Sequence, residues 1–110
     1  MANGEKCCEN LKPVLDKLMK KMPSNEDTKR QAEYFKAISD PARVRIIYAL
    51  ANGELCVCEL MLIMGMQQTV VSHHLKILKY ANIVSDRKSG KWVNYSLADR
   101  RVLDILKAIE

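Results

Sequence analysis

The sequence predicts a mainly α chain with one small β-hairpin, arranged as a winged helix-turn-helix that dimerises through its N- and C-terminal helices. Three observations predict it. Two helical segments, Cys58–Met64 and about Gln67–Tyr80, meet at a tight turn containing Gly65. The apolar period then switches to alternation over Ile83–Lys88 and Lys91–Leu97, which flank the turn dipeptide Ser89-Gly90. Both ends of the chain carry aliphatic stripes that a core this small does not fully cover.

The elements follow in order. Leu11, Val14, Leu15, Leu18 and Met22 form one stripe of an amphipathic helix, stopped by Pro23. Ser24 and Asp27 give a weak capping signal for a second helix, in which Tyr34, Phe35 and Ile38 face the core. Asp40-Pro41 restarts the helical pattern, with Asp as N-cap and Pro at the first helical position. Val44, Ile47, Tyr48 and Ala51 then form the inward stripe, and Gly53 suits the helix end. After the helix-turn-helix and the hairpin, Val102, Ile105, Leu106 and Ile109 make a last helical stripe, widened by Leu103. The 110 residues read as one domain: an N-terminal arm and dimer helix over 1–22, the helix-turn-helix over 58–80, a wing over 83–97 and a C-terminal dimer helix over 99–110.

Apolar residues make up 48% and charged residues 28%, the balance of a globular rather than a disordered chain. No segment approaches the roughly 20 apolar residues that span a bilayer, and the first residues lack the apolar run of a signal peptide. A cytoplasmic location without a membrane partner is expected, and there cysteines stay reduced. The net charge is +5, and residues 61–98 hold Lys76, Lys79, Arg87, Lys88 and Lys91 against Asp86 alone, a net of +4. Such clustering is the footprint of phosphate contacts; a solvated basic face reads the same way on charge alone.

The second helix of the pair supplies the chemistry of a DNA reader. Val71, Leu75 and Leu78 form its buried stripe, and Gln68, Thr69, Ser72, His73, Lys76 and Lys79 stand opposite. Gln pairs bidentately with adenine, Ser and Thr adapt, and Lys reaches guanine or phosphate. Residues near such a helix's N-terminus touch base edges. Gln67, Gln68, Thr69, Ser72 and His73 are therefore assigned to bases, with Lys76 and Lys79 nearer the backbone. His74 lies on the apolar side, one turn from Val71 and Leu78, and reads as a hydrogen-bonded core histidine. Adjacent histidines on a helix diverge by about 100°, so His73 and His74 do not chelate one ion together. Arg87, Lys88 and Lys91 surround the hairpin tip, a basic wing suited to the backbone or a minor groove. Trp92 and Tyr95 offer ring faces for stacking, but packing the wing against the body is the reading adopted. A two-fold dimer suits a palindromic operator in double-stranded DNA.

Cys56 and Cys58 sit one residue apart just upstream of this reader, and Cys7-Cys8 form a second pair. Soft thiolates select thiophilic ions, and in a reducing compartment cysteines read as ligands or reactive thiols rather than a disulfide scaffold. Reduced cysteine also serves as a small hydrophobe, but two pairs in one chain argue for ligands. Thiolates near the start of the 58–64 helix are favoured by its N-terminal dipole.

Three segments, SDPARVRIIYAL at 39–50, ELCVCEL at 54–60 and VVSHHLKILKYANIVSDRKSGKWVNYSL at 70–97, resemble the ArsR/SmtB family of winged-helix metal sensors. The resemblance, flanking helices included, covers nearly all the chain beyond about residue 30. It implies a homodimer that represses its operator when metal-free and releases DNA when ligand binds. Arsenite-responsive members carry a third cysteine where this chain has Met61, and zinc-responsive members use Asp and His on the C-terminal helix, where 99–110 has no His. Cadmium- and lead-responsive relatives recruit N-terminal cysteines. The resemblance thus implies a metal site of Cys56, Cys58 and at least one of Cys7 and Cys8. Three thiolates suit As(III) or Sb(III), and four suit Cd(II), Pb(II) or Zn(II). The GKWV stretch resembles arsenic-responsive members, so arsenite leads.

Rival readings remain open. A redox or persulfide sensor of the same fold would use the cysteine pairs as oxidisable thiols. A metal-buffering protein would bind ions without salt-dependent DNA affinity. An enzyme is not expected, because the chain has no Cys-x-x-Cys, phosphate-binding glycine loop, carboxylate pair or Ser/His/Asp set.

Overall fold

A computed structural model describes residues 10–110, which divide into two compact units, one ending at Gln31 and the other running from Ala32 to Glu110. In the first unit, helix α1 (Lys12–Lys21) starts with Pro13 in its first turn and ends before Pro23. Leu11, Val14, Leu18 and Met22 of its stripe are exposed. Helix α2 (Asn25–Ala37) begins where the Ser24 hydroxyl accepts the Asp27 amide at 3.1 Å, so the capping signal is realised. It continues across residue 31 into the second unit.

The second unit holds the core. Asp40 caps helix α3 (Pro41–Leu50), its Oδ1 accepting from the amides of Ala42 at 2.8 Å and Arg43 at 3.3 Å. Burial and desolvation push the Asp40 carboxyl up, but those hydrogen bonds and the nearby Arg43 charge outweigh it and hold the group below the usual carboxylate range. Ile46, Ile47 and Leu50 are the buried residues of α3, whereas Tyr48 is 43% exposed. The inward stripe is thus rotated from the expected one, because α3 meets helices on more than one side. Phe35 is exposed, not inward as expected, whereas Ile38 is buried and Tyr34 packs on the core as expected, joined by Ala37.

A short strand β1 (Leu55–Cys56) leads directly into helix α4 (Val57–Met64). Gly65 ends α4 in the left-handed conformation, φ 62°. Helix α5 (Gln68–Tyr80) buries Val71, Leu75 and Leu78, as its stripe predicts. It closes with a Schellman cap in which Asn82, at φ 60°, sends its amide to the Lys79 carbonyl at 2.9 Å, and the Ile83 amide reaches the Leu78 carbonyl at 3.0 Å. Strands β2 (Val84–Ser89) and β3 (Trp92–Leu97) form the hairpin, with Ser89 opposite Trp92. The turn residues are therefore Gly90-Lys91, one position later than expected. Gly90, at φ 61°, supplies the positive φ needed at the first central position. Helix α6 (Arg101–Ala108) completes the unit and buries Val102 and Leu106.

The sheet has one strand more than the hairpin alone. Its order is β1-β3-β2, all antiparallel, with Leu55 opposite Tyr95 and Cys56 opposite Asn94. The wing's inner strand is thereby pinned to the segment that carries the cysteines. Ile46, Ile47, Leu50, Leu60, Leu75, Leu78 and Ile83 lie at the centre of the core, each contributing about 1.5–3 kcal/mol by leaving water.

Candidate nucleic-acid interface

The core stripe of α5 fixes which face looks outward. Gln67 is its N-cap residue, and Gln67, Gln68, Thr69, Ser72, His73, Lys76 and Lys79 are all exposed. At roughly 100° per residue this face resolves into three edges. Gln68, Ser72 and Lys79 lie along the edge nearest the wing, where Lys79 Nζ meets Asp86 Oδ2 of β2 at 2.8 Å. Thr69 and Lys76 stand at the centre. His73 and Tyr80 border a groove against α2.

The predicted cations divide into two groups. Lys79 is tied to Asp86, and Arg87 grips Glu54 with both ends of its guanidinium, at 2.7 and 3.1 Å. The hydrogen bond from Arg87 holds the Glu54 carboxyl low, and that from Lys79 does the same for Asp86. Pairs this exposed add little stability; their effect is to set where the wing stands against α5 and β1. Lys76, Lys88 and Lys91 have no acidic partner among the described residues and are open to phosphate. Tyr95 packs on the core as expected, whereas Trp92 remains 57% exposed on the wing.

His74 is half-buried, and its Nδ1 lies 3.2 Å from Arg43 Nη1. Arginine only donates, so Nδ1 is the acceptor in this contact. Arg43 also donates to the carbonyls of Lys36 and Ala37, capping the end of α2. Sequence reasoning missed both Arg43 and Glu54. Glu54 lies 33 residues from its partner, a pairing that no local pattern announces.

Cys56 closes β1 and is the N-cap residue of α4; Cys58 lies in the first turn of α4. Both are free thiols, Cys56 half-buried and Cys58 exposed. The Cys56 amide donates to Glu59 Oε1 at 3.0 Å, which holds the Glu59 carboxyl low. The described residues contain no group of three His, Cys, Asp or Glu side chains able to hold a metal. Cys7 and Cys8 lie outside the described residues. Two thiols at a helix start suit a thiophilic ion in donor chemistry but leave its coordination incomplete.

Comparison with known proteins places this arrangement. Residues 40–86 match the family described as bacterial regulatory protein, arsR family. An HTH-type transcriptional regulator of Methanocaldococcus jannaschii is 44% identical over 77% of this chain and 97% of its own length. The chain belongs to the ArsR family. A cadmium resistance transcriptional regulatory protein CadC homolog of Staphylococcus aureus is 46% identical over 69% of this chain, which spans 64% of that relative's length. The arsenical resistance operon repressor of Bacillus subtilis is 37% identical over 74% of this chain and 79% of its own. Among solved structures, NolR from Sinorhizobium fredii superposes with TM-score 0.72 at 29% identity, covering 81% of this chain and 92% of NolR. A homodimeric winged helix-turn-helix DNA-binding domain from Mycobacterium bovis, a possible ArsR-family regulator, gives 0.71 at 25% identity over 81% of this chain and 88% of its own. The ArsR family is one of DNA-binding regulators, not enzymes. None of the described helices is long and apolar enough to cross a membrane.

Proposed function

We propose that this ArsR-family chain is a cytoplasmic homodimeric repressor that holds double-stranded operator DNA when metal-free. It lets go when a thiophilic metal(loid), As(III) or Sb(III) in the first reading, binds Cys56, Cys58 and at least one of Cys7 and Cys8. One observation carries the reading: Cys56 is at once the edge-strand partner of Asn94 in the wing and the N-cap residue of the first helix of the reader. A bound ion would supply a cross-link between thiolates. Drawing Cys56 and Cys58 together shifts the N-terminal turn of α4 and the β1–β3 pairing in one motion, and so alters how α5 and the wing present their side chains. Linkage of this kind amounts to about 1–3 kcal/mol, or a 5–150-fold loss of DNA affinity, and operator DNA weakens ion binding by the same factor. The exposed stripe of α1 and the exposed Ile109 support pairing of two subunits through their end helices.

A second reading, response to Cd(II), Pb(II) or Zn(II) through all four cysteines, is favoured by the 46% identity to the CadC homolog. Titrating As(III), Cd(II), Pb(II) and Zn(II) against operator-bound protein decides the ion, with peroxide and polysulfide as arms for a redox sensor. The double variant Cys56→Ser, Cys58→Ser is expected to keep metal-free DNA affinity and lose release. If it still releases DNA at wild-type ion concentrations, the reading is wrong.

A further inference from the structure

A groove of about 520 Å³ runs between the end of α2 and the outer half of α5. Its lining includes the apolar side chains of Ala37 and Ile77, with Lys36 on the α2 side and His73 and Lys76 on the α5 side. Glu33, one turn before Lys36, is the single acid on the lining. Among the described residues neither Lys36 nor Lys76 has a carboxylate within ion-pair distance, in contrast to Lys79 and Arg87. Arg43 also reaches the groove, but its guanidinium is engaged by the carbonyls of Lys36 and Ala37 and by His74. Those bonds fix the last turn of α2, so the Lys36 backbone is held while its ammonium stays exposed.

We infer that this groove seats one strand of the operator backbone, with Lys36 and Lys76 contacting phosphates from opposite walls. The inference rests on the DNA-binding reading and extends the interface beyond the helix-turn-helix and wing. Two arguments support it. The groove is continuous with the outward face of α5, since His73 and Lys76 belong to both. Lys36 and Lys76, without an ion-pair partner among the described residues, place a cation on each wall, against the one acid Glu33 on the α2 side. An anionic backbone is the complementary partner.

The test is the salt dependence of operator affinity for wild type, Lys36→Gln, Lys36→Arg and Arg45→Gln. Each lost phosphate contact is expected to flatten the slope of log K against log salt by about 0.9 per subunit. Lys36→Gln should show that change, with the ratio of operator to scrambled-site affinity unchanged. Lys36→Arg should retain the wild-type slope. Arg45→Gln, with the same change in net charge at an exposed position of α3 outside the groove, should leave it alone. Equal slopes for wild type and Lys36→Gln overturn the inference, as does an equal flattening by Arg45→Gln. A wild type without salt-dependent operator affinity overturns the DNA-binding reading itself, and this inference with it.

Discussion

Arg87 and Glu54 are joined by two hydrogen bonds, Nη2 to Oε1 at 2.7 Å and Nε to Oε2 at 3.1 Å, across 33 residues of chain. The pair links the residue before β1 to the wing strand β2, so the segment that carries Cys56 touches the wing through a side chain as well as through the sheet. It also gives Arg87 an acceptor that competes with phosphate. Glu54→Gln is expected to free the guanidinium, raising operator affinity and steepening the salt slope by about 0.9 per subunit. Arg87→Gln alone should change the slope little, yet cancel the gain in the Glu54→Gln background. If Arg87→Gln alone flattens the slope by the full contact, the two acceptors do not compete.

Side chains on the wing-facing edge of α5 should behave differently from the free lysines. Gln68→Ala or Ser72→Ala is expected to cost about 1–3 kcal/mol on the operator and much less on scrambled DNA. Lys91→Gln should weaken both alike. Competition binding with single-base operator variants would separate the two patterns.

The coordination number can be read from thiolate-to-metal ultraviolet absorption. Cys7→Ser and Cys8→Ser variants should each lose part of the wild-type band on titration with Cd(II), while Cys56→Ser should lose most of it. Full wild-type absorption in a Cys7→Ser, Cys8→Ser double variant would remove the N-terminal pair from the site.

Asp40 makes folding sensitive to acid. Its carboxyl is lowered in the folded state, so its contribution is complete above the ordinary carboxylate value of about 4 and is lost as pH falls through the folded value. Asp40→Ala is expected to cost about 1 kcal/mol near pH 7. Asp40→Asn keeps a cap acceptor without the charge, and its deficit relative to wild type should shrink below about pH 4. Urea unfolding at the two pH values measures both.

Gly65 isolates the cost of the turn between α4 and α5. A Cβ built there meets nothing within 4 Å, yet φ is +62°. Gly65→Ala should therefore cost about 1–2 kcal/mol through backbone conformation alone, lowering Tm by roughly 4–8 °C per kcal/mol. A stability equal to wild type in thermal melts would show that the turn relaxes to another conformation.

The sequence by itself determined the elements that depend on short-range chemistry. Asp40-Pro41 marked the start of α3, Gly65 the break between α4 and α5, and Val71, Leu75 and Leu78 the inward face of α5. Each is a local rule of capping, backbone freedom or period, readable without neighbours. The outward face of α5 followed as the complement of its buried stripe. What tertiary structure decided are the relationships between distant segments. The pairing of Cys56 with Asn94, the Glu54–Arg87 bridge, the Lys79–Asp86 contact and the groove bearing Lys36 all bring together residues from separate elements. The rotation of α3 that leaves Tyr48 exposed belongs with them, because a helix enclosed on several sides buries a wider face than one amphipathic stripe announces. Periodicity says which side of an element is apolar; only packing says what that side meets, and electrostatic pairing depends on the meeting.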